Sequence, residues 1–280
     1  MTRHRLTDHE WELIRDVFPP PARTGRPARD RRQIVDAILW ILRTGAPWRD
    51  LPEEFGPWGT VWDLFDKWNG DETLDTILSR LRSSRIDAGE VDDQLWCIDG
   101  TSVRAARCAG GGAKKKDPSE PPDHALGRSR GGFSSKFHLL CDGHGHPLHF
   151  HLTAGQAHDN TALVPLLEGT DESVVDGDGT PVAWPVALAG DKGYRADWID
   201  AFLLELGIKP VIPSKENEDR SERPVEFDGA AYRRRSIVEC VIGWLKECRR
   251  VMTRFEKSAK NFGGMIKMAF IQRYLRLICG

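Results

Sequence analysis

Tyr232, Arg235, Glu239 and Lys246 share one side of any helix that runs through them. Counting about 100° per residue from Tyr232, Arg235 falls at roughly 300°, Glu239 at roughly 340° and Lys246 at roughly 320°. The apolar Ile237, Val238, Val241, Trp244 and Leu245 fall between about 120° and 240°, the natural core side of an amphipathic helix. Glu239 therefore faces away from that core. An acid between two cations on one stripe suits a metal-bound phosphate, the carboxylate holding the metal and the cations the phosphate oxygens. The stripe alone is also satisfied by a solvated Arg235–Glu239 pair at i,i+4. Two further acids close short apolar runs: Asp99 follows Leu95-Trp96-Cys97-Ile98, and Asp191 follows the run Val186 to Ala189. Either alone could be a turn residue or a helix N-cap. Together with Glu239 they make three acids in the order strand, strand, helix, and two-metal phosphoryl transfer requires several carboxylates converging from separate elements.

These positions resemble the signature of DDE transposases of the bacterial insertion-sequence type, in the family called Insertion Sequence Five. That signature is tyrosine, two residues, arginine, three residues, glutamate, six residues, lysine, and Tyr232, Arg235, Glu239 and Lys246 meet every spacing. The family's first aspartate sits in a phrase like IDGT, here Ile98 to Thr101. Its second sits in a phrase like ADKGY, here Gly190 to Tyr194, with only the residue before the aspartate different. The segments GRSRGGFSSKFHLLCDGHG and LTAGQAHDN lie between them, so the likeness spans nearly the whole chain. The resemblance implies that Asp99, Asp191 and Glu239 hold two Mg²⁺ ions, with Mn²⁺ able to substitute. It implies that Arg235 and Lys246 clamp phosphate oxygens and that Tyr232 positions the strand; Lys192, Arg128 and Arg130 are further candidate DNA contacts, the two arginines on a basic loop that reads equally as inert surface. The expected partners are double-stranded DNA, at the terminal inverted repeats and at the target, and further copies of the chain in a homodimer or larger synaptic complex. The implied setting is cytoplasmic, bacterial and nucleoid-associated.

The elements that must position these residues read as α/β. From Leu95 the expected strands are Leu95 to Arg104, Ser135 to Cys141, Leu148 to Thr153, Pro185 to Ala189 and Pro210 to Ile212. The expected helices are Thr161 to Leu167, Ala196 to Leu206 and Tyr232 to Arg250. A three-strand meander followed by strand–helix alternation gives a mixed sheet with flanking helices, matching the RNase H-like order. Residues 91–280 are thus expected as the catalytic domain. Residues 106 to 132, rich in glycine, proline and charge, are expected as a flexible basic loop, and Lys215 to Asp228 as another. Residues 1–90 read as an all-α module, which the resemblance implies is a helix-turn-helix-like DNA-binding domain with the helix near Thr60 to Trp68 in the major groove. Thr7 and Glu10 form a capping box with a Leu6–Trp11 staple, a second helix runs from Arg31 to Arg43 and stops at Gly45, and further helices cover Thr60 to Trp68 and Glu72 to Leu81. Six of the tryptophans fall here and read as packing. Arg23 and Arg26, in RTGRP, resemble a minor-groove arm as readily as a basic turn.

Composition sets outer bounds. The 280 residues can bury a real core, no apolar run approaches a membrane span, and the mixed-charge N-terminus is not a signal peptide. Six scattered cysteines indicate neither a disulfide scaffold nor a cysteine zinc site. The net charge of −2 hides clustering: residues 23–32 carry five arginines against Asp30, and residues 232–257 carry eight basic residues against three glutamates. His144, His146, His149 and His151 offer a rival zinc set, against the plainer reading of a polar strand face and turn. Asp159 or Asn160 is expected to N-cap the following helix. Another RNase H-like nuclease would share the three acids but cut without joining, and a transposase-derived regulator would bind DNA with its acids idle.

Overall fold

Leu95, Trp96, Cys97 and Ile98 are all buried, and as an unbroken apolar run they form the inner half of strand β1 (Leu95–Ala105). The computed structural model describes residues 5–20, 29–111, 120–129, 131–218 and 223–280. Arg23, Arg26 and Arg130, with the whole of the expected RTGRP arm and Lys114 to Lys116, lie outside these described residues. The chain divides into two compact units: Met1–Leu81, Ala105–His124 and Leu245–Gly280 form the first, and Arg82–Arg104 with Ala125–Trp244 the second. The division differs from a cut near residue 90, because the C-terminal segment packs with the N-terminal helices.

In the second unit, β1 pairs antiparallel with β3 (Gly132–Asp142), and β3 pairs antiparallel with β4 (Pro147–Ala154). On its other side β1 pairs in parallel with β5 (Ala187–Ala189), which pairs in parallel with β6 (Lys209–Val211). The order β4-β3-β1-β5-β6, an antiparallel meander joined to parallel strands, is RNase H-like. A short β2 (Gly127–Ser129) also pairs with β3, inside the stretch expected to be loop. Helices α5 (Leu163–Ser173) and α6 (Asp197–Glu205) place Leu163, Leu166, Leu167, Ile199 and Leu203 against Trp96, Ile98, Leu140 and Leu188. Each such buried aliphatic side chain contributes roughly 2 kcal/mol. The remainder of this unit's helical structure precedes and follows the sheet, in α4 (Thr73–Asp87), α7 (Gly229–Arg234) and α8 (Ser236–Lys246).

The long helix expected over Tyr232 to Arg250 is three segments, α7, α8 and α9 (Arg249–Met252). The break falls at Arg235. Its N–H donates to the Tyr232 carbonyl and its own carbonyl accepts from the Val238 N–H, both at 3.0 Å and both with three-residue spacing rather than four.

The first unit confirms the helix ends. Thr7 caps α1 (Asp8–Glu12) with both bonds of the capping box, and α2 (Arg31–Thr44) stops at Gly45, whose φ of 70° is left-handed. Ile34, Ile38 and Leu42 are fully buried. Helix α3 (Trp58–Gly70) and the first turns of α4 complete the N-terminal set. The tryptophans divide: Trp68 is core, whereas Trp58 is exposed, so packing does not account for all of them. After the two-residue β7 (Thr253–Arg254), the 21-residue helix α10 (Ala259–Cys279) has no counterpart among the expected elements. It is buried on most of its circumference, so no polar face marks it in the sequence. It packs against α2 and α3, where Gly264 lies so close to Asn69 that a Cβ would stand 2.8 Å from that side chain.

Candidate active site

Asp99 sits where β1 passes from apolar to polar, opposite Leu139 of β3. Its Oδ1 accepts the Gly100 N–H at 2.8 Å, and its Oδ2 lies 3.4 Å from Nη1 of Arg235. Asp191 follows β5 after the single residue Gly190 and caps the turn Lys192–Tyr194 by accepting the Gly193 N–H at 2.8 Å. Glu239 projects from α8, half exposed, and takes Nη2 of Arg235. Arg235, at the α7–α8 break, thus spans Asp99 and Glu239 while its guanidinium lies 5.7 Å from the Tyr232 ring centroid.

The electrostatics of these groups are coupled. Burial pushes the Asp99 carboxyl above the usual carboxylate range; Arg235 and the Gly100 N–H oppose that, and the charges of Asp191 and Glu239 add to it. Burial would lower the Arg235 pKa, but Asp99, Glu239 and Tyr232 outweigh it and raise it. Asp191 and Glu239 thus both act on Asp99, with a cation held between Asp99 and Glu239. A divalent cation would relieve the burial and repulsion acting on Asp99, and carboxylate oxygens are the donors a hard metal takes, but the three acids do not bring their oxygens within 4.8 Å of one another here.

Of the other expected contacts, Lys192 is exposed and 3.3 Å from Glu216, and Arg128 is exposed and stacks over Phe133 at 4.7 Å. Lys246 ends α8 and falls in the first unit. Asp159 and Asn160 cap nothing: the short turn Asp159–Ala162 has no side-chain cap bond, and neither does α5. Asp159 instead turns toward the acids, as described below.

The histidines disperse. His138 is buried between Tyr194, whose hydroxyl lies 3.1 Å from Nδ1, and Thr153, whose Oγ1 lies 2.9 Å from Nε2; burial lowers its pKa to about 4, so it is neutral. His149 lies against Ser173. Among the described residues, Asp142, His144 and His146 bring ligand atoms within 4.8 Å of one another, without His149 or His151. Asp142 has its acceptors filled already: Oδ1 takes the His144 and His146 N–H groups, and Oδ2 takes the Asp92 N–H and faces Nδ1 of His146 at 2.7 Å. This is a strand-end turn built by hydrogen bonds.

Comparison with known proteins identifies the family. Residues 91–272 match the family described as “Transposase DDE domain”, and residues 6–78 match “Putative transposase of IS4/5 family”. Over 117 residues the chain is 36% identical to “Uncharacterized protein y4sN” of Sinorhizobium fredii, covering 41% of this chain and 89% of that one. Over 143 residues it is 31% identical to “Putative transposase for insertion sequence element IS6501” of Brucella ovis, covering 51% and 99%. The Mos1 transposase paired-end complex with left transposon end aligns over 93% of this chain and 81% of that one, at 12% identity and a TM-score of 0.30, too low to bear on the fold. With the family match spanning the acid-bearing sheet and both aspartate phrases, the chain belongs to the DDE transposases.

Proposed function

We propose that this transposase binds the ends of its own DNA element, cleaves phosphodiester bonds there and joins the freed 3′ ends to target DNA, with Asp99, Asp191 and Glu239 holding two Mg²⁺ ions. The observation that carries the reading is the coupled set itself: a part-buried Asp99 whose charge is opposed by Asp191 and Glu239, with Arg235 spanning Asp99 and Glu239. Bound metal would lower the pKa of the attacking water or hydroxyl and stabilise the leaving oxygen of an in-line displacement.

The protein's own groups supply the rest. Nη1 of Arg235 is buried and stands 3.4 Å from Asp99 Oδ2 as an ion pair without completing a hydrogen bond, so a phosphate oxygen can engage it. The ion pairs with Asp99 and Glu239 hold the guanidinium beside the acids until substrate arrives. Tyr232 packs on Phe227 and offers its ring face to the strand, while Lys192 and Arg128 present cations to the phosphate backbone. Lys246, by its place in the family signature, clamps a phosphate oxygen with Arg235. The helical residues preceding the sheet recognise the element's ends. Helix α3 exposes Trp58, Asp63 and Lys67 but few base-reading groups, so the reading of α3 as the major-groove helix rests on its place in the module.

The test incubates purified protein with Mg²⁺ or Mn²⁺, a target plasmid and labelled duplexes bearing the element's ends, beside Glu239→Gln. Cleavage and joining that vanish in the variant support the reading. Cleavage without joining would make this a nuclease, and binding with neither would make it a regulator.

A further inference from the structure

Asp159 is a fourth acid at this site. It follows β4 and opens the turn into α5, yet its carboxylate reaches back to β1 and to the Asp191 turn. A Cβ built on Gly100 would stand 2.4 Å from Asp159 Oδ1, and one built on Gly193 would stand 2.9 Å from both Asp159 Oδ2 and Asp191 Oδ1. The carboxylates of Asp159 and Asp191 are therefore separated by no more than twice that distance. Gly100 and Gly193 are the residues directly after Asp99 and two after Asp191, so the absence of a side chain at both makes room for this approach. Asp159 also acts with Asp99 and Asp191 on the buried Tyr194 hydroxyl, raising its pKa beyond what burial does.

The surroundings of Asp159 are incomplete. Its Oδ1 is buried and takes no hydrogen bond. Lys136 Nζ stands 3.1 Å away as an ion pair but spends a hydrogen bond on the Ala157 carbonyl at 2.9 Å, and neutral His138 is 3.7 Å distant. A buried carboxylate oxygen held by an ammonium's ion pair but by no completed hydrogen bond, beside a second carboxylate, is an arrangement that a divalent cation completes.

We propose that Asp159 belongs to the metal site with Asp191, and that Lys136 is the cation that balances it when metal is absent. The proposal rests on the reading of Asp99, Asp191 and Glu239 as metal-holding acids. Lys136 and metal then compete for one carboxylate, which predicts opposite effects of removing the two partners.

The experiment measures Mn²⁺ binding to the full-length protein by titration calorimetry and by electron paramagnetic resonance of free Mn²⁺, without DNA, for wild type, Asp159→Asn, Lys136→Gln and Asp99→Asn, with circular dichroism melts of each. Asp159→Asn should weaken Mn²⁺ binding about tenfold or more, whereas Lys136→Gln should tighten it several-fold. Both break the same ion pair, so a purely structural role would shift both melts and move both affinities the same way. Unchanged affinity in Asp159→Asn, or weakened affinity in a folded Lys136→Gln, overturns the proposal. If Asp99→Asn also binds Mn²⁺ like wild type, the metal-site reading itself fails; if Asp99→Asn alone loses Mn²⁺, that reading stands and only Asp159's membership falls.

Discussion

Strand β3 carries two polar clusters in the second unit, one around Asp142 at its end and one around His138 at its middle, and they differ in how completely their polar groups are used. Asp142 is fully buried and each oxygen faces two partners, three of them backbone N–H groups from its own turn and from Asp92. Around His138 the same kinds of residue are held by ion pairs that complete no hydrogen bond: Asp159 Oδ1 faces Lys136 at 3.1 Å, Arg235 Nη1 faces Asp99 at 3.4 Å, and Asp99 is part-buried beside other acids. A buried polar group that is fully bonded holds structure, and one left short is either a cost or a site. The inventory of acids and histidines does not separate the clusters; their hydrogen bonds do.

The strongest way to break this comparison is to neutralise the acids at the unsaturated end. Asp99→Asn, Asp191→Asn or Glu239→Gln should lower the cleavage rate on labelled duplex ends by roughly 10³-fold or more, with the fold retained by circular dichroism. Full activity in any one of them removes that residue from the site. At the saturated end the opposite pattern is expected. Asp142→Ala orphans three N–H groups and should cost about 3 kcal/mol in urea unfolding, while Mn²⁺ affinity stays within about twofold of wild type. Lost metal affinity in a folded Asp142→Ala would erase the distinction.

A pH series probes His138 directly. Its folded pKa of about 4 lies below the ordinary 6.5, so the unfolded chain binds a proton that the folded chain refuses. Stability should therefore be whole above about pH 6.5 and fall as pH drops toward 4, by about 3 kcal/mol if no other group compensates. His138→Gln should flatten that part of the melting-temperature profile, and an unchanged slope would show that other groups carry it. The smallest effect is expected for Gly100→Ala, whose new Cβ would stand 2.4 Å from Asp159 Oδ1 and 3.0 Å from His138 Nδ1. It should cost about 1–2 kcal/mol and weaken Mn²⁺ binding a few-fold, since only the Asp159 side must move. No change in either quantity would mean the gap at Gly100 is not used.

Much of this could be read without coordinates. The meander and the parallel strands follow from short apolar runs between turn residues, and the capping box at Thr7 and the stop at Gly45 come from local chemistry alone. Asp99, Asp191 and Glu239 could be put forward as a set because each ends an apolar run or rides a helix stripe. Three features were not. Helix α10 is buried on most sides and carries two adjacent glycines near its start, so periodicity did not expose it. The break at Arg235 reflects a local change of hydrogen-bond spacing inside a sequence that favours helix throughout. Asp159 looked like a helix cap because the phrase HDN before a helix usually is one; its partner Lys136 lies far enough away that spacing cannot reveal it.

The sequence by itself determined which residues could do the chemistry and the order of elements that carry them, because apolar periodicity and motif spacing are local. Only the tertiary structure decided which polar groups end up short of partners, because that depends on what distant segments bring to the same place. It also drew Leu245–Gly280 into the first unit, where the apolar surface of α10 is covered by α2 and α3. Burial is a property of the assembled fold, and both the open valence of Asp159 and the placement of α10 follow from it.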